Sequence, residues 1–340
     1  MTPLRTRKPT GAVPWPLILL EGGEKAGKSR AAAELSASER VGQTYWLDLN
    51  EAAADEYGAI PGVRYLVVEH DGTWADILSS VTAVRDEARR AADAGEPPVV
   101  LVIDSMTAEW DLLKDWAGNR AKGSRSNQER LRKDPNAEVS VPMNLWNDAT
   151  ARHRRLMTMF MTFPGIVVMT ARGKEVAALD ASGRPVEGSK DYKVEGHKNL
   201  AFDASVWVRM SREHPPMVVG ARSVHAGLRP GVDKPQPIHD FSLERLVFDL
   251  LKCDPAKSRA REMTAMQAGD EPPDLDNLSE VAKELLRMAE DHTSLADLEK
   301  VWRAVTAAVK AGQITPPEEG HIRGRVQTLK SELTAGSEAA

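Results

Sequence analysis

The stretch Leu17-Ile-Leu-Leu-Glu-Gly-Gly-Glu-Lys-Ala-Gly-Lys-Ser29 decides how this chain is read. Four apolar residues, Leu17 to Leu20, predict a buried strand, and the glycine-bearing turn after Glu21 leads into a helix-forming run from Arg30 to Leu35. Strand, loop and helix in that order are the context that gives the pattern G-x-x-x-x-G-K-[ST] a physical meaning. Gly22 and Gly27 let the backbone turn tightly enough for successive N–H groups and the positive end of the helix to converge on a polyphosphate. On this reading Gly22, Gly23, Glu24, Lys25, Ala26, Gly27, Lys28, Ser29 and Arg30 form the nucleotide-binding loop. Lys28 reaches the terminal phosphates and Ser29 offers its hydroxyl to Mg²⁺. The alternative is a glycine-rich strand-to-helix turn that binds nothing.

Outward from this loop, the chain alternates strands and helices. Residues 1–16 carry threonine, arginine, lysine and several prolines without periodicity and read as an irregular lead-in. A helix over Ala31–Arg40 leads to TYWLDLNE at Thr44–Glu51, a strand ending in acidic and amide residues. A third strand over Val63–Val68 precedes a long helix, Trp74–Ala94. VVLVIDS, Val99–Ser105, is apolar until Asp104, as expected of a central parallel strand covered on both faces. A carboxylate at the carboxyl end of such a strand stands where open α/β sheets bind ligands, so Asp104 is the candidate partner of Ser29 around Mg²⁺.

Between Trp116 and Asn136 the composition turns polar and basic, with Arg120, Lys122, Arg125, Arg130, Arg132 and Lys133 and hardly an apolar residue. That composition predicts a mobile loop, either a surface for a phosphate backbone or a merely solvated excursion. Trp110 and Trp116, close by, are candidates for stacking on bases. A helix over Pro142–Phe163 follows, on whose apolar stripe His153 is expected to be packed and hydrogen-bonded. The strand Ile166–Met169 ends in Thr170-Ala-Arg-Gly-Lys174, where Thr170 or Arg172 could sense a terminal phosphate or simply end a strand. Ala177–Lys198 reads as a second loop, Ala204–Met210 and Met217–Ser223 as paired strands, and Phe241–Lys252 as the last helix of the large domain. Periodicity fails over 253–277, a linker, and three amphipathic helices fill a small domain at 278–336. One of these begins with a clear signal: Thr315 as cap, Pro316 at the first helical position and Glu318 at the third.

The bulk numbers bound the partners. The formal net charge of −5 gives no global attraction for nucleic acid, so such contact needs a local basic surface. A single cysteine, Cys253, excludes an internal disulfide and a cysteine-built metal cage, which fits a cytoplasmic protein. No apolar run approaches membrane-span length, and no membrane role is expected.

The order of these segments resembles the RecA-like ATPase core, and especially phage-encoded RecA-like single-strand annealing or recombination ATPases. The residues that carry the resemblance are EGGEKAGKS (Glu21–Ser29), YWLDLNEAAADEYG (Tyr45–Gly58), VVLVIDS (Val99–Ser105), IVVMTARGK (Ile166–Lys174) and EGHKNLAFDASVWVRMSR (Glu195–Arg212). The resemblance implies an α/β core over 17–252, with a mostly parallel sheet between helices, that binds ATP and Mg²⁺. It also implies assembly into a homo-oligomeric ring or filament and two loops touching single-stranded DNA, one after Trp116 and one that includes Lys174. A single-strand-binding protein is a further partner of such systems, and a phage origin would place the chain in the host cytoplasm. In the family a glutamate at the end of the second strand polarises the attacking water. Here that position is Asn50, so Glu51 takes the role through a one-residue shift, or Asp48 does, or hydrolysis is slow. Arg222 and Arg229 stand where the family puts cations that reach a neighbour's nucleotide.

The leading expectation is therefore an ATPase that couples nucleotide state to single-stranded DNA, with Lys28, Glu51, Asp104 and Thr170 as its catalytic set. A rival is a loader or remodelling ATPase whose partner is a protein such as a replicative helicase. A small-molecule kinase ranks last, because no lid or acceptor signature lies between Asp104 and Thr170.

Overall fold

In a computed structural model, residues 6–180, 182–227, 229, 232–263, 278–291 and 294–337 are described. They form two compact units, divided after Met263. The first is organised by one sheet in the order β3-β2-β4-β5-β1-β7-β8-β9, with β6 pairing β5 off this path. Its parallel part comprises β1 (Leu17–Gly22), β2 (Thr44–Asp48), β3 (Tyr65–Val67), β4 (Val100–Asp104), the first half of β5 (Ile166–Leu179) and β7 (Val206–Met210). Strands β8 (Met217–Ala221) and β9 (Gln236–Pro237) add antiparallel at one edge.

Both faces of the parallel strands are apolar, which explains their unbroken hydrophobic runs. Ile18, Leu20, Trp46, Val100, Val102 and Val168 face one way, toward helix α1 (Lys28–Leu35). Leu17, Leu19, Leu47, Leu101, Ile103 and Met169 face the other, toward α3 (Trp74–Asp93) and α6 (Met143–Met161). The expected α/β arrangement of a mostly parallel sheet between helices is thus present, with α-helices following it at the carboxyl end.

Several local expectations are corrected. Helix α1 stops at Leu35 instead of Arg40, because the Ser36 hydroxyl turns back to the Ala33 carbonyl and accepts from the Arg64 N–H. A short helix, α2 (Ala54–Tyr57), follows β2. The basic stretch is helical: α4 (Met106–Lys122) runs into it and α5 (Arg125–Lys133) completes it. Ser105 and Ser124 cap the two helices, accepting from the Ala108 and Asn127 N–H groups. Asn127 is buried, donates to the Ala121 and Ser140 carbonyls and accepts from the Ser140 N–H. One buried amide therefore anchors a segment with almost no apolar face.

The second expected loop is a β-ribbon. Strand β5 continues past the sheet to Leu179 and pairs antiparallel with β6 (Pro185–Glu195), from Arg172 opposite Glu195 outward. Backbone ladder bonds hold this ribbon where apolar burial is slight. A four-residue helix, α7 (Leu200–Asp203), precedes β7. The helix expected over Phe241–Lys252 is mostly a π-helical turn, Arg245–Leu250, with the Leu251 N–H reaching the Leu246 carbonyl.

The core also extends past its expected end at 252. Cys253 and Ser258 are buried, and the Trp15 N–H donates to the Arg259 carbonyl at 3.1 Å, so the irregular lead-in is strapped to 253–263. These residues are core, not linker; the rest of the expected linker, 264–277, lies outside the described residues.

The second unit contains α8 (Glu280–Glu290), α9 (Leu295–Lys310) and α10 (Pro316–Ser337) around Leu285, Leu298, Val301, Val305, Ile322 and Val326. The start signal at Thr315 works as expected and does more. The Glu318 carboxylate accepts from the Thr315 N–H and hydroxyl, and also from the Ser279 N–H at 2.6 Å. It thereby satisfies donors at the starts of two helices. These N–H donors hold the Glu318 carboxyl down at about 2. A depressed folded-state value means the stabilisation is present above the ordinary glutamate pKa and is lost as pH falls toward about 2. Thermal melts of the full chain should therefore show a lower transition for the helical unit in Glu318→Gln at pH 7. That deficit should shrink from about pH 4.5 downward and vanish near pH 2.

Candidate nucleotide site

Three parallel strands end together at one edge of the sheet. Leu20 of β1 pairs with Thr170 of β5, and Ile103 of β4 pairs with Met169, so Thr170 and Asp104 emerge side by side, with Gly22 two residues beyond Leu20 and opposite Arg172. They open into a cleft of about 370 Å³. Gly22, Gly23, Glu24, Lys25, Ala26, Gly27, Lys28 and Ser29 form one wall; Glu51, Tyr57, Asp104, Ser105, Thr170, Arg172, Lys174 and Glu195 line the rest.

The loop has the backbone its sequence demands. Gly27 has φ 89°, the left-handed region that glycine enters without cost, and it stands directly before α1. A Cβ at Gly22 would lie 2.2 Å from the Met210 carbonyl oxygen, so this position admits only glycine. Lys28 Nζ donates to the carbonyls of Gly22 and Gly23, each at 2.8 Å, which bends its ammonium back over the loop. Arg30 does not join the site: its guanidinium pairs with Glu34 at 2.8 Å on the outer face of α1.

Asp104 is 2% exposed and accepts a hydrogen bond from the Thr170 hydroxyl, with Ser29 lining the same cleft. Its Oδ2 is buried with no hydrogen-bond partner among the described residues. Burial raises the Asp104 carboxyl above the usual aspartate range, with the neighbouring hydroxyls of Thr170 and Ser29 pulling the other way. A buried carboxylate oxygen left without a donor, beside a serine hydroxyl at a helix start, suits a hard divalent cation, so the residues fit Mg²⁺ held by Ser29 and Asp104. Burial also lowers the Lys28 ammonium from its ordinary value, offset by Asp104, Glu51 and Glu21.

The residues that end and follow β2 now separate in position. Asn50 is exposed, with φ 64°, and does not line the cleft. Asp48 is committed elsewhere: its two carboxylate oxygens accept from the N–H groups of Glu51, Ala52, Ala53 and Ala54 at 2.9–3.3 Å. That four-donor cap lifts the chain so that Glu51 turns inward. Glu51 Oε1 accepts from Ser105 Oγ at 2.9 Å and from Arg172 Nη2 at 3.0 Å.

A family model described as an AAA domain matches residues 16–203, more than half of the chain. The chain belongs to this family. Comparison with curated proteins found no match. Among solved structures, this AAA-domain chain is similar to an ATPase from the type III secretion system of pathogenic bacteria, at 13% identity and TM-score 0.34 over 58% of this chain and 51% of that one. It is also similar to the RadB recombinase, at 14% identity and TM-score 0.35 over 64% of this chain and 86% of that one. The chain spans about half the length of the secretion ATPase.

The AAA-domain chain leaves other expected residues apart from the cleft, with the exception of Lys174, which lines it. Arg120, Lys122, Arg125, Arg130, Arg132 and Lys133 are exposed along the end of α4 and α5, with Arg125 paired to Glu129 at 3.2 Å. Lys174 stands away from them, at the base of the ribbon, paired with Glu195 at 3.6 Å. Arg229 pairs with Asp233 at 3.0 Å, and Arg222 lines a different cavity. The ring of Trp116 carries the Arg152 guanidinium 4.3 Å from its centre, and Trp110 meets His153 and His197 edge-on. His153 is buried and bonded to Glu109 at 2.9 Å, the packed role expected of it.

Sequence reasoning missed a second charged cluster behind the loop. Glu21 is fully buried, and its Oε2 accepts from Arg209 Nε at 3.0 Å and Trp207 Nε1 at 3.2 Å. The Arg209 guanidinium lies over the Tyr192 ring at 4.4 Å, joining the ribbon to β7. The available signal was a carboxylate closing an otherwise apolar strand.

Two outcomes follow from this geometry. A Cβ at Gly173 would lie 1.9 Å from Glu21 Oε1, so Gly173→Ala should displace Glu21 and lower both the melting temperature and nucleotide affinity. Affinity for Mg²⁺ and a fluorescent ATP analogue should weaken on the acid side from a higher pH than an ordinary aspartate would set. It should weaken on the alkaline side from a lower pH than an ordinary lysine would set, and Asp104→Asn should remove the Mg²⁺-dependent acid limb.

Proposed function

We propose that this AAA-domain chain binds ATP with Mg²⁺, hydrolyses it, and couples nucleotide state to single-stranded DNA as a homo-oligomer. The observation that carries the reading is the placement of the Glu51 carboxylate in one cleft with Lys28, Ser29 and Asp104, oriented by Ser105 and Arg172. Bound Mg²⁺ supplies charge neutralisation to the phosphates. The loop N–H groups and Lys28 bind and orient the triphosphate. Glu51 accepts a proton from the attacking water as its oxygen bonds to the γ-phosphorus and the bond to the β–γ bridging oxygen breaks. Thr170 holds Asp104 in place through its hydroxyl. The exposed cations of α5 and the end of α4, together with the ribbon, are the surface offered to the DNA backbone.

Glu51→Gln should lower ATP turnover by about 10²–10⁴-fold while leaving nucleotide affinity within a few-fold. Asp48→Asn should instead lower the melting temperature, because it weakens the cap that shapes the turn. Turnover of the parent is to be measured with and without single-stranded DNA, beside particle size in the same samples. Stimulation by DNA, with binding that weakens by orders of magnitude between roughly 50 and 200 mM salt, is the expected result. Turnover indifferent to DNA, with salt-insensitive binding, would favour a protein partner of the loader type and overturn the DNA reading. Absence of nucleotide binding by the parent, equal to that of Lys28→Ala, would overturn the whole.

A further inference from the structure

Arg222, which sequence reasoning assigned to a neighbour's nucleotide, lines a cavity of about 200 Å³ that shares no residue with the nucleotide cleft. The lead-in forms one side of it, the start of β7 and the chain after β8 a second, and the strap after the π-helical turn a third. Its walls are largely apolar, with Val13, Pro14, Val206, Val224 and Leu251 among them. Among the described residues no carboxylate lines it, yet two guanidiniums do, Arg222 and Arg261. Neither forms an ion pair among the described residues, although every other feature of the cavity is neutral. Arg261 Nε is buried with no hydrogen-bond partner among the described residues.

This is an unfavourable arrangement for an isolated protein. Two like charges line one cavity, Arg222 exposed and Arg261 half-buried, and burial together with Arg222 lowers the Arg261 guanidinium from its ordinary value. Asp203 feels the Arg222 charge without pairing to it. A ligand anion bound between the two guanidiniums would offset part of this positive charge. The remaining polar groups limit which anion fits. Ser205 Oγ already bonds the Leu17 N–H and carbonyl, and Ser223 Oγ accepts from the His225 and Ala226 N–H groups. Burial pushes the Cys253 thiol up to about 11, so it is neutral and does not compete as an anion. Guanidinium forks grip carboxylate and phosphate alike, and it is the apolar lining that favours a carboxylate attached to an apolar body over a bare inorganic anion.

We propose that this cavity is a binding site for the carboxylate end of a small apolar molecule, held by Arg222 and Arg261. The site stands on geometry independent of ATP hydrolysis, so it can be tested in the full chain without nucleotide. Calorimetric titration and thermal melts with sodium hexanoate, 1-hexanol and inorganic phosphate separate the two halves of the claim. Hexanoate should bind and raise the melting temperature, with hexanol and phosphate at least tenfold weaker. Arg261→Met should weaken hexanoate at least tenfold while its own melting temperature, without ligand, is unchanged or higher, because an uncompensated buried charge has been removed. Arg222→Gln, a change at an exposed residue, should weaken hexanoate in the same direction and guards against a folding defect in the first variant. Failure of hexanoate to bind, equal binding by both variants, or equal binding of phosphate or hexanol would overturn the proposal.

Discussion

The parallel register of β4, β5 and β1 is the constraint on which the site depends. Side chains alternate faces along a strand, so a slip of one residue in either pairing would send Asp104 or Thr170 to the opposite side of the sheet. The slip is prevented because both faces are buried: Leu17 and Leu19 pack one way and Ile18 and Leu20 the other. The bond from the Thr170 hydroxyl to Asp104 is the visible result of that register, a contact between two strand ends that the apolar layers below hold level.

At that edge the chain gathers charge that water would otherwise weaken. Asp104 and Glu21 are buried, Glu51 is partly so, and all three carboxylates raise the Lys28 ammonium against the burial that lowers it. Interactions among such groups are stronger than on an open surface because little solvent screens them. The Glu21–Arg209 pair adds a second layer behind the loop, so the loop is backed by a hydrogen-bonded ion pair as well as by apolar packing.

The strand ends are tied to the ribbon by one hydroxyl. Thr107 Oγ1 donates to the Glu195 carbonyl at 2.6 Å and accepts from the Arg172 N–H at 2.9 Å. Thr107 lies three residues after Asp104, and Arg172 also reaches Glu51. The base of both ribbon strands is therefore hydrogen-bonded to the turn that carries the cleft's acidic groups, a physical route by which contents of the cleft and position of the ribbon can bias one another.

Local patterns made much of this legible. The apolar runs at Leu17–Leu20 and Val100–Ile103, the glycines of the loop and the Thr315–Glu318 cap each depend on neighbours within a few residues, so their consequences can be read in one dimension. The basic stretch and the ribbon could not be read that way. Asn127 anchors α5 through a carbonyl thirteen residues away, and the ribbon exists because two polar strands meet through backbone bonds. The choice between Asp48 and Glu51 likewise needed three dimensions, since both are acidic and adjacent to the same strand end. The chain alone established that a phosphate loop and an acidic strand end were present, because those are statements about short segments and their burial. Folding settled which acid faces the cleft, where the cations stand and which of them lack a partner among the described residues, because each of these depends on residues brought together from distant parts of the chain.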